Sequence, residues 1–344
     1  MTAAADLSSI ADTGGLNSSS AQQRGYLGCR VSVVSESIAR FSAAYGWGSW
    51  CAGTQVFRAA IHGEDQIDRT KEAAGMSLRT LLVHADTDEQ LMNRVTLAAG
   101  LARAHDAKLI VAFPLQAPLD VTFYSEYVAV ETIQALIGAE QQRAADVRAK
   151  VADRLAGEGI SWQWRTCDGG AQNTLPRIGA VADVIVMGQG AVDTHASLVA
   201  AVALTAGRPV LCMPNGARFE SCGKRILLAW NGSRESARAA HDVLPFLKGA
   251  DQVVVFTAGR ITGHDASVAD IAAYFAAHGT RIEVRHAMLA EVDTGTGILQ
   301  AAAESDADMI AMGAYGHSRL REWVFGGTTR TILTAMTIPV LLSH

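Results

Sequence analysis

The residues best placed to do chemistry lie near the carboxyl end, in the run Met312-Gly313-Ala314-Tyr315-Gly316-His317-Ser318-Arg319-Leu320-Arg321-Glu322-Trp323-Val324-Phe325-Gly326-Gly327-Thr328-Thr329. Its spacing is G-x2-G-x9-G-G-T, after an apolar strand-like segment and before a helix-like one. Glycine lets the backbone turn with positive φ and lets amide N–H groups approach an anion with no β-carbon between them. Gly326, Gly327 and Thr328 fall where the last helix begins, and free amides and the helix dipole there favour a phosphate. Thr328 and Thr329 add hydroxyl donors, and Arg319, with His317 and Arg321, adds cations, although an exposed polar loop accounts for the same residues. The chemistry on offer is therefore anion binding. No Ser-His-Asp, Cys-His or paired-carboxylate arrangement follows from spacing alone, which argues against a hydrolase. His84 beside Asp86 and Asp88 reads as a strand-end histidine near a helix-capping acid rather than a catalytic or metal group.

The elements that must position this loop come from a repeat. Arg79-Thr80-Leu81-Leu82-Val83 recurs as Arg225-Ile226-Leu227-Leu228-Ala229, Ala182-Asp183-Val184-Ile185-Val186-Met187-Gly188 as Ala307-Asp308-Met309-Ile310-Ala311-Met312-Gly313, and Pro209-Val210-Leu211 as Pro339-Val340-Leu341. Short β-branched runs alternate with longer helical patterns, the signature of parallel βαβ units. Strands are expected at 79–84, 107–113, 160–166, 183–187 and 209–213 in the first copy, and at 224–230, 251–257, 281–287, 307–312 and 338–342 in the second. Continuously apolar runs such as Leu109–Phe113 suit strands covered on both faces. The alternation of Ile160, Trp162 and Trp164 with polar residues suits an edge strand. Ala240, Val243, Leu244 and Leu247 form one helical stripe, with Ser233 as its cap, and Ile133, Leu136, Val147, Val151 and Leu155 form another.

The loop and its setting resemble the universal stress protein family, whose ATP-binding members carry G-x2-G-x9-G followed by Ser or Thr at this place. Here Gly327 follows the third glycine and the threonines come one residue later, so the backbone amides are the core of the expected cradle. The resemblance covers residues 79–344. It implies an α/β fold of two tandem Rossmann-like domains of the adenine nucleotide alpha hydrolase kind, each a five-stranded parallel sheet of order 3-2-1-4-5. Ligands of such sheets sit at the carboxyl ends of strands one and four. The nucleotide-binding residues it implies are Ala229, Asn231, Thr257, Gly313, Gly316, Arg319, Gly326, Gly327 and Thr328. Asn231 stands where ATP-binding relatives usually have Asp, and Thr257 matches the residue whose backbone meets the adenine. The implied ligand is ATP or a related nucleotide, with Mg²⁺ accompanying it. The first copy has no second glycine cluster after Met187-Gly188-Gln189-Gly190 and is expected to be structural.

The chain of 344 residues is 49% hydrophobic, enough for two domains with sizeable cores. A net charge of −5 without a long basic run disfavours nucleic-acid or membrane-surface partners, leaving a nucleotide, protein partners or a homodimer. Five cysteines without metal-ligand spacing suit free thiols in a reducing compartment, and the lack of a signal-like start or a run of about 18 apolar residues suits the cytoplasm. Residues 1–75 read as a disordered or mis-assigned extension, with Met76 as the natural start. The remaining domain expectations are 76–213, degenerate; 214–223, a linker; and 224–344, nucleotide-binding. Three functions follow in order of support: a stress-response regulator that binds nucleotide with at most weak ATP hydrolysis, a nucleotide-free dimerisation scaffold, and an ATP-using adenylating enzyme. The last is disfavoured because Asn231-Gly232-Ser233-Arg234 is not an SGGxDS-type loop.

Overall fold

The computed structural model describes residues 77–116, 129–190, 195–259, 266–288, 294–314 and 327–344, all of them within the unit Cys51–His344. Residues 1–75, and with them Cys29 and Cys51, lie outside the described residues. Strands β1 (Thr80–His84), β2 (Lys108–Leu115), β3 (Trp162–Asp168), β4 (Val184–Gly188) and β5 (Val210–Met213) alternate with helices α1 (Leu91–His105), α2 (Val130–Leu155), α3 (Gly170–Gly179) and α4 (His195–Thr205). The second half repeats the plan with β6 (Arg225–Ala229), β7 (Gln252–Ala258), β8 (Glu283–Ala287), β9 (Met309–Gly313) and β10 (Val340–Ser343). Its helices are α5 (Arg234–Asp242), α6 (Leu244–Leu247), α7 (Ala266–Ala277), α8 (Thr294–Glu304) and α9 (Gly327–Ala335).

Each half has the expected parallel order, 3-2-1-4-5, but the halves share one ten-stranded sheet ordered β3-β2-β1-β4-β5-β10-β9-β6-β7-β8. The join is antiparallel, with Leu211 opposite Leu341, both fully buried. Pairing the two fifth strands removes two exposed apolar edges at once. The halves' remaining edges are β3 and β8, which confirms the edge reading of Trp162 and Trp164; Trp164 stacks on Phe113 with ring centroids 6.0 Å apart. One core lies between the sheet and α1, α2, α5 and α7, the other between the sheet and α3, α4, α8 and α9.

Three local expectations are revised. Strand register pairs Leu81 with Val184 and Ile226 with Met309, so the true counterpart of Leu81 is Ile226, one residue off the sequence alignment. An aspartate pins each register: Asp183 accepts from the Arg79 and Thr80 N–H groups, and Asp308 from those of Gly223, Lys224 and Arg225. The single stripe through Ala240 and Leu247 divides into α5 and α6, because Pro245 has no N–H to extend the first helix. Leu136 is 52% exposed, since only the carboxyl-terminal half of α2, with Ala144, Val147, Val151 and Leu155, lies over the sheet. Ser233 does cap α5, accepting from the Ser236 N–H at 3.2 Å.

The linker packs against the first half: a β-carbon on Gly100 of α1 would collide with the Glu220 carbonyl. Gln189, just beyond β4, is buried and reaches the second half. Its amide donates to the Leu333 and Thr334 carbonyls at 2.6 and 3.2 Å, and its oxygen accepts from the Asn215 N–H at 2.9 Å. These carbonyls are among the last of α9, which no helical amide can satisfy. Gln189→Leu leaves three backbone groups without their partner, and an unmade buried hydrogen bond costs about 1–3 kcal/mol. Urea denaturation should show a loss of roughly 2–4 kcal/mol; a loss below about 0.5 kcal/mol would mean water replaces the amide.

Candidate functional site

The chain reverses its winding between β6 and β9. From β6 it turns into α5 on one face, and from β9 into α9 on the other. A crevice opens at such a point beyond the carboxyl ends of the strands. Because β9 and β10 are parallel, α9 must run back from the carboxyl edge, which puts its amino end there. Ala229 pairs with Met312 and with Phe256, so Ala229, Trp230, Thr257 and Gly313 meet on three adjacent strand ends although more than 80 residues separate the outermost two.

Ala229 is half-buried and ends β6. Asn231 is exposed, and its side-chain oxygen accepts from the Ser233 N–H at 3.1 Å, which fixes the turn into α5. Thr257 is 9% exposed, with its hydroxyl 2.8 Å from His286 Nδ1. Gly313 cannot carry a side chain: a β-carbon would lie 2.6 Å from the Ser236 nitrogen in the first turn of α5. Gly327 opens α9, and a β-carbon there would meet nothing within 4 Å. Thr328 follows it, half-buried. Gly316, Arg319 and Gly326 lie outside the described residues.

The first half builds the same turn and closes it differently. Asp86 accepts from the Asp88 N–H at 3.0 Å, the bond Asn231 makes to Ser233, so Asp86 is the counterpart of Asn231. Its carboxylate is held by Arg94, which also reaches Asp88 at 3.3 Å. Arg94 is 1% exposed and lies on Gly188, where any side chain would collide with the guanidinium. In the second half Glu235 lies on the matching Gly313. Over the glycine lies a guanidinium in one half and the backbone of Glu235 and Ser236 in the other. Neither was recognised from sequence; a charged residue in the first turns of a helix looks like an ordinary dipole or surface partner. Beside Arg94 is a cavity of about 230 Å³ lined by His84, Asp86, Phe113, Gln116, Glu140 and Arg143. Its acids are already paired, Asp86 with Arg94 and Glu140 with Arg143.

Burial works to raise the Glu235 carboxyl, but its own backbone N–H, Arg234 and Ser233 outweigh it and hold the group below the ordinary glutamate value. Burial pushes the Cys212 thiol up to about 12, and that of Cys222 higher still, so neither is a thiolate near neutral pH. Cys167, Cys212 and Cys222 are free thiols. Among the described residues no group of three His, Cys, Asp or Glu side chains could hold a metal ion, and no helix is long and apolar enough to cross a membrane.

Residues 223–344 match the universal stress protein family. This half of the chain is a universal stress protein domain. A curated relative, universal stress protein Slr1230 of Synechocystis sp., is 27% identical over 141 residues, which is 39% of this chain and 46% of that protein. The chain thus matches about half the length of that relative. A solved universal stress protein from Archaeoglobus fulgidus DSM 4304 shares the fold with a TM-score of 0.63 at 16% identity, covering 78% of this chain and 96% of its own. A functionally unknown protein from Pseudomonas aeruginosa PAO1 gives 0.50 at 15% identity, covering 77% and 92%. Coverage of that extent spans both halves, so the likeness in fold includes the first half, which the family match leaves out.

Two predictions follow from the charge arrangement. Arg94→Met leaves Asp86 and Asp88 without their cation, and removing one partner of a buried pair typically costs about 3–5 kcal/mol. Chemical denaturation should show a loss near the low end, about 3 kcal/mol, because the two acids keep some contact with water. Adding Asp86→Asn and Asp88→Asn should recover much of it; no recovery would assign the loss to packing. Glu235 gives a pH signature. Its folded value is depressed, so its stabilisation is present above the ordinary glutamate range and lost as pH falls through the folded value. Acid unfolding of Glu235→Gln should therefore show a shallower fall in Tm across that window than the parent chain.

Proposed function

We propose that the second half binds ATP or a related adenine nucleotide, as a binding protein of the stress response rather than an enzyme. The phosphates would rest on the amino end of α9 and the intervening glycines. The observation that carries this reading is Gly327: it begins α9 with open space around its α-carbon, so its amide and that of Thr328 can be approached by an anion. Gly313, the other fixed glycine, supports it differently. There α5 already fills the place a β-carbon would take, so this glycine sets the floor of the crevice and Gly327 faces the ligand. Asn231 keeps its amide nitrogen for a neutral hydrogen bond to the nucleotide while its oxygen holds the turn. Mg²⁺ would arrive with the phosphates.

A ligand bound between the β6 and β9 ends contacts segments from two different parts of the chain. It acts only through a different affinity for two arrangements of the protein, so binding and a change in a partner-facing surface should appear together. The scaffold reading finds support in the first half, where Arg94 lies on the glycine equivalent to Gly313. Isothermal titration of the full chain with ATP separates the two. Micromolar binding is expected, and the paired change Gly316→Val with Gly326→Val should weaken it at least tenfold by blocking approach of the phosphates. Binding that survives both changes rejects the assigned cradle, and no binding by the parent chain leaves the scaffold.

A further inference from the structure

The helix whose amino end is proposed to hold the phosphates, α9, is tied at its other end to the opposite half of the chain. Gln189 and Ala314 are counterparts: each follows the last residue of a fourth strand, and each N–H donates to the carbonyl of the last residue of a fifth strand, Met213 at 2.8 Å and Ser343 at 2.7 Å. Because β5 and β10 are antiparallel, the carboxyl edge of one half is level with the amino edge of the other. The residue after β4 therefore meets the carboxyl end of α9. Gln189 donates to the Leu333 and Thr334 carbonyls there, whereas Ala314 has no polar side chain to offer α4. The half without the glycine loop thus supplies a donor to the half that has it, and receives none from the matching position.

Other contacts hold only the beginning of α9. The Thr331 hydroxyl donates to the Gly327 carbonyl at 2.9 Å and closes the first turn. One flank lies against α8, where a β-carbon on Gly295 would come within 2.7 Å of Thr331 and 3.2 Å of the Thr328 carbonyl. The far end is the part that Gln189 secures, and Gln189 is itself fixed. It is 8% exposed, its oxygen accepts from the Asn215 N–H, and the Asn215 side chain donates to the Gly190 carbonyl at 2.9 Å.

A helix of nine residues is marginal without tertiary support. Two of its last carbonyls, at the negative end of its dipole, are taken up by one amide. That amide stops the last turn from fraying and sets where the helix lies along its axis. The amides at its amino end, roughly 10 Å away at about 1.5 Å per residue, are set with it.

We infer that Gln189 is a positioning residue for the phosphate site of the opposite half, holding α9 so that the Gly327 and Thr328 amides stand ready for the anion. The role rests on the nucleotide reading above and gives the first half a part in binding that its own crevice does not supply. Gln189→Met keeps the length of the side chain and removes its donor and acceptor. The full chain and this variant are titrated with ATP, tripolyphosphate and adenosine well below their melting temperatures, with melts recorded alongside. ATP and tripolyphosphate affinities should both fall about fivefold, the scale on which helix-end charge interactions act, while adenosine affinity stays within about twofold. Unchanged affinities in a folded variant overturn the inference and leave Gln189 a structural tie alone. An equal loss for adenosine also overturns it, because general loosening of the domain would then be the cause. A second measurement needs no variant: in the parent chain, saturation with tripolyphosphate should shift the NMR resonances of the Gln189 side-chain amide, and resonances that stay in place overturn the coupling. Binding of neither ATP nor tripolyphosphate by the parent chain removes the nucleotide reading itself, and this role with it.

Discussion

The antiparallel pairing of β5 with β10 is the constraint on which the rest of the structure depends. A five-stranded parallel half ends in a short, largely apolar strand with one unpaired edge, and that edge cannot face water without inviting aggregation. Each half supplies the other's missing neighbour, and Leu211 and Leu341 disappear into the join. Because β10 is also the strand to which α9 returns, the join bears on the second half's crevice as well as on its stability. Gln189 adds a polar tie at the same place, from the end of β4 to the last carbonyls of α9.

Within that shared frame the two halves have diverged by changing few residues at one topological point. Both end the fourth strand in a glycine that a helix residue covers. In the first half the covering residue is Arg94, neutralised by Asp86 and Asp88, and the position is closed by the chain's own charges. In the second half the backbone of Glu235 and Ser236, in the first turn of α5, takes that place.

Much of the fold was legible because it is written in periodic and repeated features. Continuous apolar runs marked the buried strands, the alternation through Trp162 and Trp164 marked an edge, and the repeat of Ala182–Gly188 at Ala307–Gly313 gave two copies of one topology. The exact correspondence was not legible: Arg79 and Arg225 look equivalent, but the chain is pinned by Asp183 and Asp308, which set Leu81 opposite Ile226 in the plan. Leu136 kept helical period with Val147 and still ended in solvent, because period states which face is apolar and not whether anything covers it. Of the candidate site, Ala229, Asn231, Thr257, Gly313, Gly327 and Thr328 fall in the described structure, and the first four gather with Trp230 at the carboxyl edge.

By itself the sequence determined the α/β class, the repetition of one plan and the glycine-rich segment after the ninth strand, since each follows from local composition, spacing or internal likeness, while the strand order within each half came from the family resemblance. Only the tertiary structure decided that the halves fuse into one sheet, that Arg94 lies on Gly188 between two acids, and that Trp230, Thr257 and His286 form one row at the strand ends. These are relations between residues distant in the chain. They depend on strand register and on which face a side chain takes, and a shift of one residue reverses that face.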